Sequence, residues 1–590
     1  MTTVSNRWAA LLLLLVLVLS ACSSTDDTAD SADEAAGGED AAASDTPDDA
    51  GDSDDDARDD ASDDAGDADD DTDDDAAASG TVATMRAAIT GDEGTLTPYT
   101  YVTGFPGWNL LMLQYDSLMQ IDVDGVPQPW LAESVDVSDD GLTYDMTLVD
   151  GVTWHDGEPF TAEDVVFTVD YFLANAAGRF SRNLGTVTEA TADGDLGVTL
   201  TLEAPSPSFP LSTLSDVPIL PEHIWSTVED PETHQFEGPN IGTGPYTLEE
   251  YQSDTSYRLV ANPDYFRGAP TVEELVIVQF ADDAGALAAI RSGEVDVVFD
   301  QIAPEQVDLL GQQGTIEIAQ GPEYSSQLLY FDASKAPFDD IAVRQAMSLA
   351  VDRQDLVDTV FLGAATVGSA GWIHPDQPTF NAEVETTTDL EQANTLLEDA
   401  GYTDSDGDGI READGAPMSY ELLTPSGDSL RLRTAELVAA MLADVGIQAN
   451  VSSVEQATWE EAVWPGFDVA NGRNYDLAMW GWSAPIQADA SRVASLVHSE
   501  IEIGSLNLTA FADPEMDEVA QALTVEGDDA TRTELIGELQ SLFAERLPFV
   551  TLLYPDGAYA YDAAVYDDWA FVNGQGIEPK LSLLEPAARP

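Results

Sequence analysis

Between residues 142 and 148 apolar and polar positions alternate without a break. Leu142, Tyr144, Met146 and Leu148 stand against Thr143, Asp145 and Thr147. A period of two places the four apolar side chains on one face of a strand. Asp150-Gly151 and Asp156-Gly157 mark turns on either side of a short strand over 152–155. At Thr161 the period lengthens: Val165, Val169 and Phe172 fall on one stripe of a helix, with Thr161 as N-cap and Asp164 at the third helical position. Further helices are predicted from Ile341 with Val343, Met347 and Val351 in register, and from Asp352 to near Gly363. Others carry Leu390, Leu396 and Leu397 up to Gly401, run over 430–445 up to Gly446, and carry Leu535, Leu539 and Leu542 up to Pro548. Strand-like runs over 275–280, 295–299, 448–454 and 476–480 lie between them. Interleaved strands and helices predict an α/β architecture. No internal repeat is visible.

The N-terminal region has a different pattern. Arg7 precedes an apolar run over 9–19, too short to span a bilayer and of the length of a signal-peptide core. Leu19-Ser20-Ala21-Cys22 resembles the lipobox of secreted lipoproteins, so residues 1–22 are expected to be a signal peptide and Cys22 to be lipidated. Cys22 is the single cysteine of the chain, which excludes an intrachain disulfide and a cysteine metal site. Residues 23–80 are Asp, Ala, Ser and Gly with almost no large apolar side chain, a composition that cannot offset its ordering entropy. They are expected to form a disordered, self-repelling tether.

Charge adds a second constraint. The chain has 590 residues, enough for two or more lobes, and a formal net charge of −92. The tether holds 25 of the 112 acidic residues, so most of the acidity belongs to the remainder. Lys335 and Lys580 are the only lysines. Such a field repels nucleic acid, which is excluded as a partner. It also predicts an acidic, halophile-like surface that stays hydrated in concentrated salt.

Enzyme constellations are largely missing. The five histidines (His155, His223, His234, His374 and His498) do not pair at metal-ligand spacing, form no direct nickel site, and sit beside no recognisable nucleophile motif. Phosphate-cradling and dinucleotide glycine patterns are absent. One loop is metal-like: Asp404, Asp406 and Asp408 alternate ahead of Gly409, with Glu412 following, as in the opening of a calcium loop. Position twelve is Gly415 rather than Glu, so the segment reads either as a structural calcium site or as an acidic turn. Aromatic residues supply the other candidates. Trp480-Gly481-Trp482 closes a predicted strand, where ligands of open α/β sheets tend to bind, and Tyr99 and Tyr101 occupy a Thr/Pro/Gly-rich loop. Each can stack on a flat or apolar group, and each tryptophan can equally be core. Trp482→Ala is expected to weaken ligand binding while leaving unfolding of the empty protein nearly unchanged; a large loss of stability with unchanged affinity would show Trp482 to be core.

Several segments together resemble the family 5 solute-binding proteins, which include peptide- and nickel-binding receptors of ABC importers. Leu131-Ala132-Glu133-Ser134 is followed by Ser138-Asp139-Asp140-Gly141-Leu142-Thr143-Tyr144, and then by the unbroken run from Asp150-Gly151-Val152-Thr153-Trp154-His155-Asp156-Gly157 to Glu158-Pro159-Phe160-Thr161-Ala162-Glu163-Asp164-Val165-Val166. Gly242-Thr243-Gly244-Pro245-Tyr246, Asn262-Pro263-Asp264-Tyr265-Phe266, Ser292-Gly293-Glu294-Val295-Asp296 and Pro337-Phe338-Asp339-Asp340 with Val343-Arg344-Gln345-Ala346 follow in order. The resemblance implies a periplasmic-binding-protein-like fold of two lobes. Lobe I would comprise 81–125, 240–321 and 548–590, with an inserted subdomain over 126–239. Lobe II would comprise 322–547, with hinge strands near Pro322 and Leu547. It further implies closure on a ligand, recognition by importer permease subunits, and no catalysis.

For the ligand the resemblance argues mostly by absence. In the dipeptide-binding branch a carboxylate shortly after the Gly-Trp pair holds the peptide amino group, and an Arg before a lobe II helix holds the peptide carboxylate. Here Pro485 and Pro425 occupy those places, with Asp489 and with Arg431 and Arg433 nearby. The sequence therefore predicts a monomeric receptor on the outer face of the membrane, anchored through Cys22. It needs no cofactor beyond the structural calcium and binds a peptide-sized solute, an oligopeptide first and an oligosaccharide second, at Tyr99, Tyr101, Trp480, Trp482 and Asp489. A secreted hydrolase is the distant alternative.

Overall fold

The computed structural model describes residues 81–590 apart from 103–105, 176–178, 235, 237, 313 and 483–488, and of Asp308 the backbone alone. The expected signal peptide, Cys22, the tether and Pro485 lie outside the described residues.

A twelve-stranded sheet organises the molecule. Its spatial order is Gln448–Val454, Ser419–Pro425, Leu477–Trp480, Gln327–Phe331, Val550–Asp562, Val297–Val298, Met85–Thr90, Glu274–Phe280, Ser256–Ala261 and Tyr246–Gln252. Ile316–Pro322 and Ala365–Val367 also pair with Val550–Asp562. That thirteen-residue strand is shared by two half-sheets. Its N-terminal end, Val550 to Leu553, pairs with Gln327–Phe331, and its C-terminal end, Asp556 to Asp562, pairs with Ile316–Pro322. The other strand path between the halves runs from Pro322 to Gln327. One crossing was expected near Leu547, but Leu547 is the left-handed C-cap of helix Asp529–Arg546, and the shared strand changes partners at 554–556. Pro548 ends the helix and does not mark the crossing.

The predicted helices are present. Asp340 caps Ile341–Ala350 by accepting from the Ala342 N–H, and Asp352 caps Arg353–Val360 by accepting from Asp355. Leu390–Asp399, Ser429–Ala443 and Asp529–Arg546 follow, each opened by an aspartate side chain that accepts from the first turn. In an acidic chain this is a double use of Asp, as a cap and as a charge complementing the helix dipole. The run over 295–299 is a strand only at Val297–Val298.

A separate antiparallel sheet, in the order Ala132–Val137, Thr143–Leu148, Gly197–Leu202 and Val187–Asp193, is backed by helix Ala162–Ala174. Tyr144, Met146 and Leu148 point into its core, as their alternation predicts, and Thr161 and Asp164 form a reciprocal capping box. The glycines around Thr243 are explained by close approach: a Cβ on Gly244 would lie 2.5 Å from the Leu113 carbonyl oxygen and the Gln114 backbone. That packing presents Thr243 to a fully buried carboxylate, Asp116, which accepts from Thr243 Oγ1 (2.9 Å), Trp130 Nε1 (2.8 Å), Tyr265 Oη (2.9 Å) and Lys580 Nζ (2.8 Å). Among the described residues no helix is long and apolar enough to cross a membrane.

Candidate functional site

The junction between the halves is where solute could be enclosed. Gly481 leaves strand Leu477–Trp480 directly against the crossing segment, because a side chain there would run into the carbonyl of Ser326. Ser326 N–H donates to the Trp482 carbonyl (2.9 Å) and Trp482 N–H donates to Ser326 Oγ (3.1 Å). These bonds fix the Trp480-Gly481-Trp482 segment to the crossing.

The sequence-predicted residues divide between two places. Trp480 stacks on Trp459 with ring centroids 4.2 Å apart and planes at 19°, and it meets Trp482 edge-on at 6.5 Å. Its ring is half-buried, and the Arg431 guanidinium lies 5.5 Å from the ring centroid. Trp482 is 7% exposed and its indole N–H donates to Tyr330 Oη (2.7 Å), so it packs as core. Asp489 is buried and caps a short 3-10 turn by accepting from the Ser491 N–H (3.1 Å). Tyr99 and Tyr101 pack against a different hydrophobic cluster, that of the antiparallel sheet. Tyr99 lies 5.8 Å from both Phe172 and Trp225 and donates to the Asn175 carbonyl (2.8 Å). Tyr101 packs on Phe180 at 5.9 Å. Burial raises the pKa of both phenols, most strongly for Tyr99. The structure thus seats these tyrosines against the antiparallel sheet, apart from the tryptophan cluster.

Side chains that pattern reading passed over gather at the crossing. The Glu323 carboxylate accepts from Tyr559 Oη and from Gln301 Nε2, and burial raises its pKa to about 7. Asp300 accepts from the Thr90 N–H (2.6 Å), and burial raises it to about 6. His374 is fully buried between Tyr324 (5.0 Å) of one crossing and Tyr554 (4.8 Å) of the other, and desolvation lowers its pKa to about 4. Helix Ser429–Ala443 reaches over the junction: Arg433 Nη2 bonds Glu305 Oε1 of the opposite half at 2.6 Å. The signal in the sequence was scarcity. With 20 cationic residues against 112 acidic ones, Arg431-x-Arg433 at one helix start is conspicuous.

The metal-like loop is exposed, and carboxylate oxygens of Asp404, Asp406 and Glu412 lie within 4.8 Å of one another, a spread that ligands of one calcium ion would have. Asp404 accepts from the Gly407 (2.6 Å) and Gly409 (2.9 Å) N–H groups, and Glu412 from Ser405 (2.9 Å). Asp408, whose carboxylate accepts from the Ile410 N–H (2.8 Å), is not one of that close group. Three of the four expected donors therefore fit.

Two half-sheets joined by paired crossings, with polar and aromatic side chains converging at the join, define a two-lobed solute-binding fold. Residues 126–501 match the family described as bacterial extracellular solute-binding proteins, family 5. The chain belongs to this family, which is one of binding proteins and not of enzymes. It is similar to "Protein XP55" of Streptomyces lividans, 29% identical over 80% of this chain and 83% of the other. It is also similar to the oligopeptide-binding protein AppA of Bacillus subtilis, 27% identical over 79% and 86%. Among solved structures, the ABC transporter substrate-binding protein CtaP of Listeria monocytogenes superimposes with a TM-score of 0.73 at 24% identity, covering 85% of this chain and 99% of the other. AppA of B. subtilis in complex with a nonapeptide gives 0.65 at 24%, covering 86% and 99%. These structural likenesses speak for the fold.

Proposed function

We propose that the chain captures a peptide-sized solute, an oligopeptide, between its lobes and presents it to the permease subunits of an ABC importer from the outer face of the membrane, held there through lipidated Cys22. The observation that carries this reading is the junction itself. The halves meet through two strand crossings, and a half-buried Trp480 and a polar set sit beside them. In this reading the lobes are 81–125, 240–321 and 548–590, with 126–239 inserted, against 322–547. They close as bodies about the crossings, and a bound solute shifts the open–closed equilibrium by its preference for the closed state. Relatives whose names refer to oligopeptides or peptides support the solute class. An oligosaccharide is the second reading, resting on the exposed part of Trp480, whose ring is stacked on Trp459 and packed by Arg431. We further propose a structural calcium held by Asp404, Asp406 and Glu412, with Asp408 joining after rotation. Mass spectrometry of solute released from protein purified out of its native host tests the reading. Peptides of a few residues, returned intact, are expected. An oligosaccharide would replace the first reading with the second, and a cleaved product would overturn binding without catalysis.

A further inference from the structure

The crossing from Pro322 to Gln327 contains a strained step. Tyr324 has a φ of 50°, a left-handed backbone that crowds a bulky side chain and persists only where its surroundings hold it. Two restraints act there. The Tyr324 ring is buried and packs on His374, with ring centroids 5.0 Å apart. Glu323, one residue earlier, is held by two donors to its carboxylate, Tyr559 Oη and Gln301 Nε2. In the lobes proposed above, Tyr559 and Gln301 belong to lobe I and His374 to lobe II. Neighbouring residues are thus tied into different bodies, with the strained dihedral between them.

The niche around Glu323 is cut to fit it. A Cβ on Gly557 would run into the Glu323 carboxylate, and one on Gly576 would run into the Tyr559 hydroxyl. Gly557 belongs to the shared strand and pairs with Gly321, so the carboxylate lies on the backbone of the second crossing. Burial first, and then the like charge of Asp556 beside Gly557, raise Glu323 to about 7. Asp556 accepts from Gln320 Nε2 (3.2 Å) and feels Asp376. Asp300, next to Gln301, acts on Tyr559, whose phenol burial and the Glu323 charge keep protonated and able to donate. His374 is uncharged at neutral pH, since desolvation lowers it to about 4. No Lys or Arg is among the groups acting on Glu323.

On the reading of the junction as a hinge between two lobes, we propose that Glu323 is a proton-operated latch: protonated, it holds the crossing at Tyr324 in its strained conformation, and on ionising it lets that step relax and the lobes swing. An ionised Glu323 shares its niche with Asp556 and has no cation to offset it, so the charge is relieved by leaving for water. The latched form is the one that binds the proton more tightly. The latch is therefore complete below the ordinary carboxylate range, weakens by up to about tenfold per pH unit as pH rises from about 4.5 to 7, and is level above that. The open–closed equilibrium, and with it the capture of solute, then depends on pH over the same range.

The test uses the full chain with Cys22→Ser and spin labels at Ser292→Cys and Gln521→Cys, one exposed site on each lobe. Double electron–electron resonance reads the distance between the labels from pH 5 to pH 8.5, with and without a pool of random tripeptides to hexapeptides. The ratio of the pH 5 distance population to all others is expected to fall at least tenfold between pH 5 and pH 7 and to stay level above. Glu323→Gln is expected to keep the pH 5 distribution throughout, and Asp300→Asn to follow the parent. A parent distribution that does not change with pH, or a change that survives Glu323→Gln, would overturn the latch. If peptides still shift the distances in that case, capture between moving lobes stands. Distances that respond neither to pH nor to peptides overturn the latch and the capture reading together.

Discussion

Replacing Lys580 by Met removes one partner of an ion pair in which both side chains are 0% exposed. Lys580 Nζ donates to Asp116 Oδ1 (2.8 Å) and to the Tyr115 carbonyl (2.8 Å). After the substitution the Asp116 carboxylate keeps three neutral donors, Trp130, Tyr265 and Thr243, but no compensating charge. Stranding one member of a buried pair costs about 3–5 kcal/mol, and the surviving hydrogen bonds place this case toward the lower end. At about 2–4 °C per kcal/mol for domains of 150–250 residues, the melting temperature of the first lobe should fall by about 6–15 °C. Asp116→Asn in the same background removes the stranded charge, so the double variant should be less damaged than the sum of the singles. Differential scanning calorimetry at neutral pH, in 0.1 M and 2 M KCl, reads all of this. The loss should be the same in both salts, because a fully buried pair is not screened. A shift below about 2 °C, or one abolished by salt, would show that the pair is not what joins the C-terminal segment to the first lobe.

Other consequences follow from the same reasoning. Trp482→Ala should destabilise the empty protein by about 3–5 kcal/mol, since it removes a buried ring and leaves Tyr330 Oη without its donor; unchanged melting would return Trp482 to the ligand wall. Glu323, raised by burial above its usual value to about 7, holds a proton in the folded state that the unfolded chain gives up near pH 4.5, so its contribution to stability is lost as pH rises from about 4.5 to 7. Glu323→Gln, which leaves Tyr559, Gln301 and the nearby Asp556 in place, should flatten that part of the pH–stability curve relative to wild type, and an unaltered slope in chemical denaturation would refute the assignment. Calcium should raise the melting temperature of the wild type but not of Asp404→Asn; calorimetric titration with no calcium-specific heat would leave the loop an acidic turn. Melting temperature should rise between 0.1 M and 2 M KCl as like-charge repulsion is screened, and a maximum at low salt would count against a salt-adapted surface.

What could be read from the sequence followed from local periodicity. Tyr144, Met146 and Leu148 announced their buried face, and Thr161 with Asp164 announced a capping box, because each depends on neighbours a few positions away. Interleaved strand and helix signals predicted the α/β class, and the ordered motifs predicted the family and with it the two lobes. The junction was not legible in the same way. Val550–Asp562 carries Pro555-Asp556-Gly557, which reads as an interruption where the partners change, but nothing in its residues says which half-sheet each end pairs with. Glu323 and Tyr559 are 236 residues apart, and no periodicity links them.

The aromatic candidates show a related limit. A tryptophan at a strand end and a tyrosine in a Thr/Pro/Gly-rich loop are equally suited to wall and core, and only their partners decide. Trp482 finds Tyr330, and Tyr99 finds Phe172 and Trp225, so both are committed before a solute arrives. Arg431 carries a different mark: its buried Nε has no hydrogen-bond partner among the described residues, and its Nη2 lies 3.4 Å from Asp428 Oδ2. Composition ranks residues by what they can do, but a site is defined by what remains unsatisfied after folding.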